Sequence, residues 1–176
     1  MTERPGSETT NLRIALLRGV NVGGVTVKSA ALAEVFRGMG FTDVRTVLAS
    51  GNVLFAGAGQ AEAIEKALAD AFGYGARVIL TDQATVKAVI EAYPFDEVDD
   101  RQPYVMFVSE SGDIRKLLEL AGNTGSDVER VQPGDGVLYW EVRKGMSTDS
   151  PFSKKTARTP GILTTTRNLR TLRKLV

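Results

Sequence analysis

Hydrophobic residues in the first half of the chain follow strand-like runs and helix-like spacing in turn. The run Leu12–Leu17 is almost wholly apolar, which predicts a strand covered on both faces. Ser29 can then cap a predicted helix that stops at Gly40, because the apolar residues between them recur at helical spacing. The remaining elements predicted here are strands Val44–Leu48, Asn52–Ala56 and Ala76–Leu80 and a helix over Ala61–Phe72. This order is that of a ferredoxin-like βαββαβ motif.

An acidic segment separates this motif from the rest of the chain. Asp82 caps a third predicted helix and Pro94 ends it. Closely spaced carboxylates follow, at Asp96, Glu97, Asp99 and Asp100. Such a cluster is consistent with a metal site or with a solvated connection. We favour the connection and interpret residues 94–103 as a linker.

The same order of elements begins again beyond this linker. The predicted elements are strand Tyr104–Val108, helix Ser111–Ala121, and strands Val128–Gln132 and Val137–Val142. A basic, Ser/Thr-rich tail then leads to a short helix around Asn168–Leu175. We therefore predict an α+β fold of two ferredoxin-like α/β-plait halves in tandem, with antiparallel sheets and helices on one face. The predicted limits are a disordered tail at 1–10, an N-terminal domain at 11–93, the linker, and a partial C-terminal domain at 104–176.

The composition excludes much catalytic chemistry. The 176 residues include no cysteine and no histidine, which removes thiolate nucleophiles, the commonest metal ligand and the commonest general base. No catalytic residue can be named, and we predict neither a metal nor a cofactor. No apolar run is long enough to cross a membrane, and the polar first ten residues do not resemble a signal peptide. We expect a cytoplasmic protein.

Charge is distributed unevenly along the chain. Residues 143–176 contain nine Lys or Arg and one acid, a net charge of +8, whereas the remainder has 13 basic and 20 acidic residues, a net charge of −7. A basic end on an acidic body indicates either an anionic partner or docking of the tail on its own body.

A glycine-rich turn follows the first predicted strand. Its spacing approaches a phosphate-binding P-loop, but Val25 stands where that motif requires lysine, so a nucleoside triphosphatase of that class is excluded. The glycines are consistent with a tight turn, or with backbone amides that hold an anion at the start of the helix. The anion-binding candidates in this region are Arg18, Asn21, Gly23, Gly24 and Lys28.

Two further clusters carry candidate ligand-binding side chains. Ser50 and Asn52 flank Gly51, either as plain hairpin residues or as a polar rim beside the first turn. In the tail, the candidates are Ser153, Lys154, Arg167 and Asn168. An arginine and a lysine suit phosphate or carboxylate, although Arg167 could instead pair with an acid of the body. Our sharper hypothesis is that the tail folds back so that Lys154 and Arg167 face Arg18 and Asn21.

Aromatic residues give little support for RNA binding. Tyr139 and Trp140 are neighbours on a predicted strand and therefore point to opposite faces, one into the core and the other towards a cross-strand neighbour or a stacked ring. The first strand presents Leu12, Ile14 and Leu16 where an RNA-recognition sheet would carry aromatic side chains.

Four segments together resemble the bacterial family of unknown function DUF1697. They are Leu16–Gly24, Gly40–Thr46, Ser50–Val53 and Thr166–Asn168. The resemblance implies a pair of ferredoxin-like domains and no established activity. Ser153–Lys154 and Lys28 also resemble residues common in the family. Leu169 stands where the family usually has tryptophan, so a stacking role there does not carry over.

These observations favour a protein that binds an anionic or phosphorylated small molecule in a cleft between its two halves. Arg18, Lys154 and Arg167 would neutralise the anion, and Asn21 and Asn52 would orient it. The alternatives are a single-stranded nucleic-acid-binding protein, indicated by the basic tail, and an interaction module without a ligand.

Overall fold

The N-terminal half forms one four-stranded antiparallel sheet. The computed structural model describes residues 10–19, 26–48, 51–73, 75–122 and 127–176. The elements of this half are β1 (Arg13–Arg18), α1 (Ser29–Gly38), β2 (Thr42–Val47), β3 (Asn52–Ala56), α2 (Ala61–Phe72), β4 (Arg77–Asp82) and α3 (Gln83–Glu91). The strand order β2-β3-β1-β4 is that of the predicted ferredoxin-like motif.

The C-terminal half forms a second sheet of the same order. Its elements are β5 (Arg101–Val108), α4 (Asp113–Ala121), β6 (Glu129–Pro133), β7 (Val137–Arg143), α5 (Pro151–Ala157), β8 (Thr164–Asn168) and α6 (Leu169–Arg173). The strands lie in the order β6-β7-β5-β8. The predicted fold class of two ferredoxin-like halves with a short C-terminal helix is therefore confirmed.

The prediction missed α5 and β8, which together complete the second βαββαβ motif. This half was therefore wrongly predicted to be partial, because a Ser/Thr-rich tract resembles a loop in composition. β5 also begins at Arg101, inside the segment interpreted as linker. Pro103, the last residue of that segment, pairs with Glu141 of β7 at a position where β5 has no partner in β8.

Side-chain alternation places a shared core between the two sheets. Ile14 and Leu16 of β1 belong to the same buried cluster as Val105 and Phe107 of β5, together with residues of α3 and α6. Ala15 and Leu17 point the other way, into a cluster with α1 and α2. A third cluster lies between the second sheet and α4 and α5. Each sheet is thus covered on both faces, and the central cluster joins the halves.

Two tyrosines in the central cluster offer a matched test of its hydrogen bonding. Their rings meet edge to face at 5.7 Å, and the Tyr139 hydroxyl donates to the Val89 carbonyl at 3.1 Å. The buried Tyr93 hydroxyl has no hydrogen-bond partner among the described residues. Burial raises the pKa of Tyr93, so this hydroxyl stays neutral at ordinary pH.

Tyr93→Phe should therefore leave the free energy of unfolding unchanged or raise it slightly. Tyr139→Phe should lower it by about 1–3 kcal/mol, since the Val89 carbonyl loses its donor. Urea denaturation of both variants measures the difference. An equal loss of stability in the two would contradict the hydrogen-bond assignment.

Candidate functional site

Arg167 crosses from the second sheet to the first. Its Nε donates to Asn52 Oδ1 at 2.7 Å, and its Nη2 donates to the carbonyls of Leu17 at 2.9 Å and Gly51 at 2.8 Å. All three acceptors lie at the adjoining ends of β1 and β3. A single guanidinium of the tail therefore connects β8 to the first half.

The remaining donors of Arg167 stay within its own strand. Nη1 donates to Thr165 Oγ1 at 2.6 Å and to the Thr166 carbonyl at 3.0 Å. Within the described residues no carboxylate lies within 4.0 Å of this guanidinium. Burial lowers the pKa of Arg167 to about 10, so it remains a cation at neutral pH. Neutral oxygens satisfy its hydrogen bonds and leave its positive charge uncompensated.

Arg18 is the second cation at this junction. It is exposed at the end of β1, and its Nη1 donates to the Thr164 carbonyl at 3.0 Å. Because β8 is an edge strand, this bond ties the two halves at a strand edge. The described part of the chain gives Arg18 no ion pair. Its other N–H groups make no hydrogen bond to a described residue, so they remain free to meet a ligand.

A cavity of about 350 Å³ lies where Arg18 meets the second half. Its lining combines aromatic and apolar side chains with side chains that carry hydroxyl groups. The lining residues are Arg18, Tyr104, Met106, Trp140, Ser147, Ser153, Thr156, Ala157, Thr164, Thr165 and Thr166. None of these described lining residues is acidic. We call this space the junction cavity.

Two predicted residues of the tail lie on α5, but their surroundings differ. Ser153 lines the junction cavity, and its backbone N–H donates to Ser150 Oγ at 3.1 Å. Lys154 is exposed and lies 3.7 Å from the Asp149 carboxylate. The geometry therefore brings Arg18 and Ser153 to one cavity, beside Thr165 and Thr166, which precede Arg167 in β8. Lys154 and Arg167 are not among the lining residues.

The other predicted residues have separate positions. Asn52 Nδ2 donates to the Val47 carbonyl at 3.0 Å, so both ends of its amide are engaged. Asn168 caps α6 by accepting from the Arg170 N–H at 2.9 Å. Lys28 is exposed just before α1. The four predicted positions Asn21, Gly23, Gly24 and Ser50 lie outside the described residues.

A second, larger cleft of about 500 Å³ gathers basic residues beside α6. Its cations are Arg101, Lys144, Arg170 and Arg173. Glu97 of the connecting segment accepts from Arg173 at 3.0 and 2.5 Å, and this pairing lowers the pKa of Glu97. We call this space the basic cleft. Within the described residues, no group of three or more acidic, histidine or cysteine side chains has the geometry of a metal site.

The threonine tract of β8 and the Tyr104 ring were not predicted as site residues. Threonine favours strands, and this property of Thr164–Thr166 was the available signal. Tyr139 and Trp140 do point to opposite faces, as predicted, but both are buried. Trp140 lies on the cavity side, where its Nε1 donates to Glu129 Oε2 at 2.9 Å.

The sequence profile of the family "Protein of unknown function (DUF1697)" matches residues 11–139. The match covers most of the chain, which therefore belongs to this family. It ends before β8, so the tail motif Thr166–Asn168 lies beyond the matched residues. None of the curated proteins compared matches the chain.

Solved structures support the fold. A conserved bacterial protein of Streptococcus pneumoniae is similar with a TM-score of 0.67 and 22% identity, covering 94% of this chain and 97% of its own. An unknown protein of Galdieria sulphuraria aligns over 90% of this chain and 97% of its own, but its TM-score of 0.25 and 11% identity carry no argument. Across the part of the chain that is described, no helix has the length and apolar character to span a membrane.

Proposed function

We propose that the protein binds an anionic, phosphorylated small molecule in the junction cavity, between its two halves. The observation that supports this most is Arg18, an exposed guanidinium on the cavity wall. Among the described residues it has no ion pair, and none of those that line the cavity is acidic. A guanidinium offers a bidentate fork to phosphate or carboxylate oxygens.

The hydroxyl groups of the cavity would supplement that charge. Ser153 and Thr166 line the same cavity and can donate to the oxygens of a ligand, whereas Thr156, whose Oγ1 donates to the Phe152 carbonyl at 2.8 Å, can only accept. Arg167 lies behind this wall, where it donates to Thr165, another lining residue. Its uncompensated charge would attract an anion without direct contact, because solvent and salt screen Coulombic attraction only weakly in a partly buried region.

Arg18→Met should weaken binding of a phosphate ester at least about tenfold, because it removes the only charged group among the described residues that line the cavity. Inorganic phosphate and ribose 5-phosphate are suitable probes, and isothermal titration calorimetry at low salt measures the dissociation constants. A thermal-shift series with the same probes gives an independent readout, since a specific ligand raises the melting temperature.

Arg158→Met is the matched control. Arg158 caps α5 at an exposed position and is not a lining residue, so its loss changes the net charge equally without altering the cavity. Equally weakened phosphate binding in both variants would mean that the effect comes from the net charge of the protein and not from Arg18 in the cavity. The proposal would be refuted if neither probe binds to the unaltered protein at millimolar concentration.

A second candidate function is single-stranded nucleic-acid binding across the basic cleft. The four cations there are the observation in its favour, and three of them belong to the basic tail. The covered sheet faces disfavour the usual RNA-recognition mode, which stacks bases on an open sheet. Titration of a labelled oligonucleotide at 50 and 200 mM salt tests it, as phosphate contacts make affinity strongly salt-dependent. Unchanged anisotropy at low salt would eliminate this function.

A further inference from the structure

The lining of the junction cavity contains three chemically distinct kinds of side chain. One wall is aromatic and apolar, formed by Tyr104, Met106 and Trp140. The rim carries serine and threonine hydroxyls from α5 and β8, and Arg18 is the one charged residue among the described lining residues. A simple anion such as phosphate or a sugar phosphate would use the charge and the rim, but it would leave the aromatic wall without a partner.

The aromatic wall is held rigidly. The Tyr104 and Trp140 rings lie 5.2 Å apart with an interplanar angle of 30°, and Phe152 meets Trp140 edge to face at 5.8 Å. Trp140 is further fixed by its hydrogen bond to Glu129, a carboxylate with 0% exposure. Trp140 is itself only 4% exposed, so Tyr104 is the more accessible ring. A preorganised aromatic wall of this kind favours stacking with a flat ligand ring.

We infer that the ligand of the junction cavity is a nucleoside monophosphate, with its base against Tyr104, its ribose along the hydroxyl rim and its phosphate at Arg18. This inference rests on the proposed function and specifies its ligand. One guanidinium matches one phosphate group better than a triphosphate. The cavity volume of about 350 Å³ lies at the lower end of the range for small-molecule sites.

Three probes separate the contributions of base and phosphate. They are adenosine 5′-monophosphate, ribose 5-phosphate and adenosine, each titrated by calorimetry into the full chain. The monophosphate should bind at least tenfold more tightly than either partial ligand. Trp140 is the only tryptophan, so its fluorescence, excited at a wavelength that the base does not absorb, reports independently on occupation of this cavity.

Tyr104→Leu should weaken adenosine monophosphate about tenfold and leave ribose 5-phosphate unchanged. Tyr104→Phe should retain both affinities, because it keeps the ring. Should Tyr104→Leu fail to fold, Thr166→Val provides the test at the rim, with a several-fold loss expected for the monophosphate and a smaller one for the inorganic ion.

The outcomes distinguish the inference from the proposed function. If ribose 5-phosphate binds as tightly as the monophosphate, and Tyr104→Leu affects neither, the nucleotide assignment is wrong while anion binding stands. If adenosine binds as tightly as its monophosphate and Arg18→Met changes nothing, the phosphate assignment fails. If none of the probes and no inorganic phosphate binds, both ideas fall together.

Discussion

Arg167→Met should lower the free energy of unfolding by about 2–4 kcal/mol, because buried acceptors lose a charged donor and cannot reach water. The acceptors at risk are Asn52 Oδ1 and the Leu17 carbonyl, whereas the Gly51 carbonyl keeps a second donor in the Leu17 N–H at 2.9 Å. Methionine fills part of the space but donates no hydrogen bond. The loss should be measured by urea denaturation followed by far-UV circular dichroism.

The conservative variant Arg167→Lys separates charge from geometry. A lysine ammonium carries the same charge, but its three donors on one nitrogen cannot span acceptors that a planar guanidinium reaches in different directions. It should therefore recover only a minor part of the lost stability. Arg170→Met, at an exposed position two residues after the end of the β5–β8 pairing, should change stability by no more than about 0.5 kcal/mol.

Two results would overturn this view of Arg167. Full stability in Arg167→Lys would mean that charge alone holds the junction. A loss in Arg167→Met no larger than that in Arg170→Met would mean that the five hydrogen bonds of the guanidinium contribute nothing net. The second result would also weaken the view that Arg167 is held as a buried charge behind the cavity wall.

Much of the fold could be predicted because the strands and helices of the first half follow clear hydrophobic periods. β3 and α2 occur at the predicted residues, and Asp82 caps α3 by accepting from the Thr85 N–H at 2.8 Å. The Ser/Thr tract of β8 could not be assigned this way, since its strand is specified by pairing with β5 and not by local apolar alternation. Such tertiary pairing overrides composition.

The candidate site was predictable in part for a similar reason. Arg18 was selected because it lies on the glycine-rich turn that follows the first predicted strand, and such a turn is a local property of the sequence. Arg167 was selected because it belongs to the basic tail, with either a ligand or an acid of the body as its expected partner. Its partners in the first half are instead neutral oxygens more than a hundred residues away in sequence. Tyr104 and the threonines of β8 line the cavity only because α5 packs on the second sheet. The hydrophobic periodicity of the sequence does not reveal this packing.

Glu129 links the structure of the second half to the proposed cavity. Its side chain has 0% exposure, and its two carboxylate oxygens accept from Trp140 Nε1 at 2.9 Å and from the Phe152 N–H at 2.8 Å. One donor belongs to the aromatic wall, and the other lies in the first turn of α5, which carries part of the hydroxyl rim. Glu129 therefore positions two walls of the junction cavity at once.

Glu129→Ala should lower the free energy of unfolding by about 2–4 kcal/mol, since each of two buried N–H groups left without an acceptor costs about 1–3 kcal/mol. Glu129→Gln should lose less, because the amide oxygen still accepts one hydrogen bond while its NH₂ group faces the other donor. Circular dichroism in urea measures stability, and a shift of Trp140 emission reports the lost indole bond. Glu119→Ala, on the exposed side of α4, serves as the control and should stay within about 0.5 kcal/mol.

Glu129→Gln, with Glu119→Gln as its matched control, connects stability to binding. If Glu129 positions Trp140 and α5, then Glu129→Gln should weaken adenosine monophosphate several-fold under conditions where the protein remains folded, and Glu119→Gln should not. A destabilised Glu129→Gln protein with unaltered Trp140 emission and nucleotide affinity would instead mean that the aromatic wall keeps its geometry through ring packing with Tyr104 and Phe152 alone. In that case the buried carboxylate would stabilise the fold without shaping the cavity.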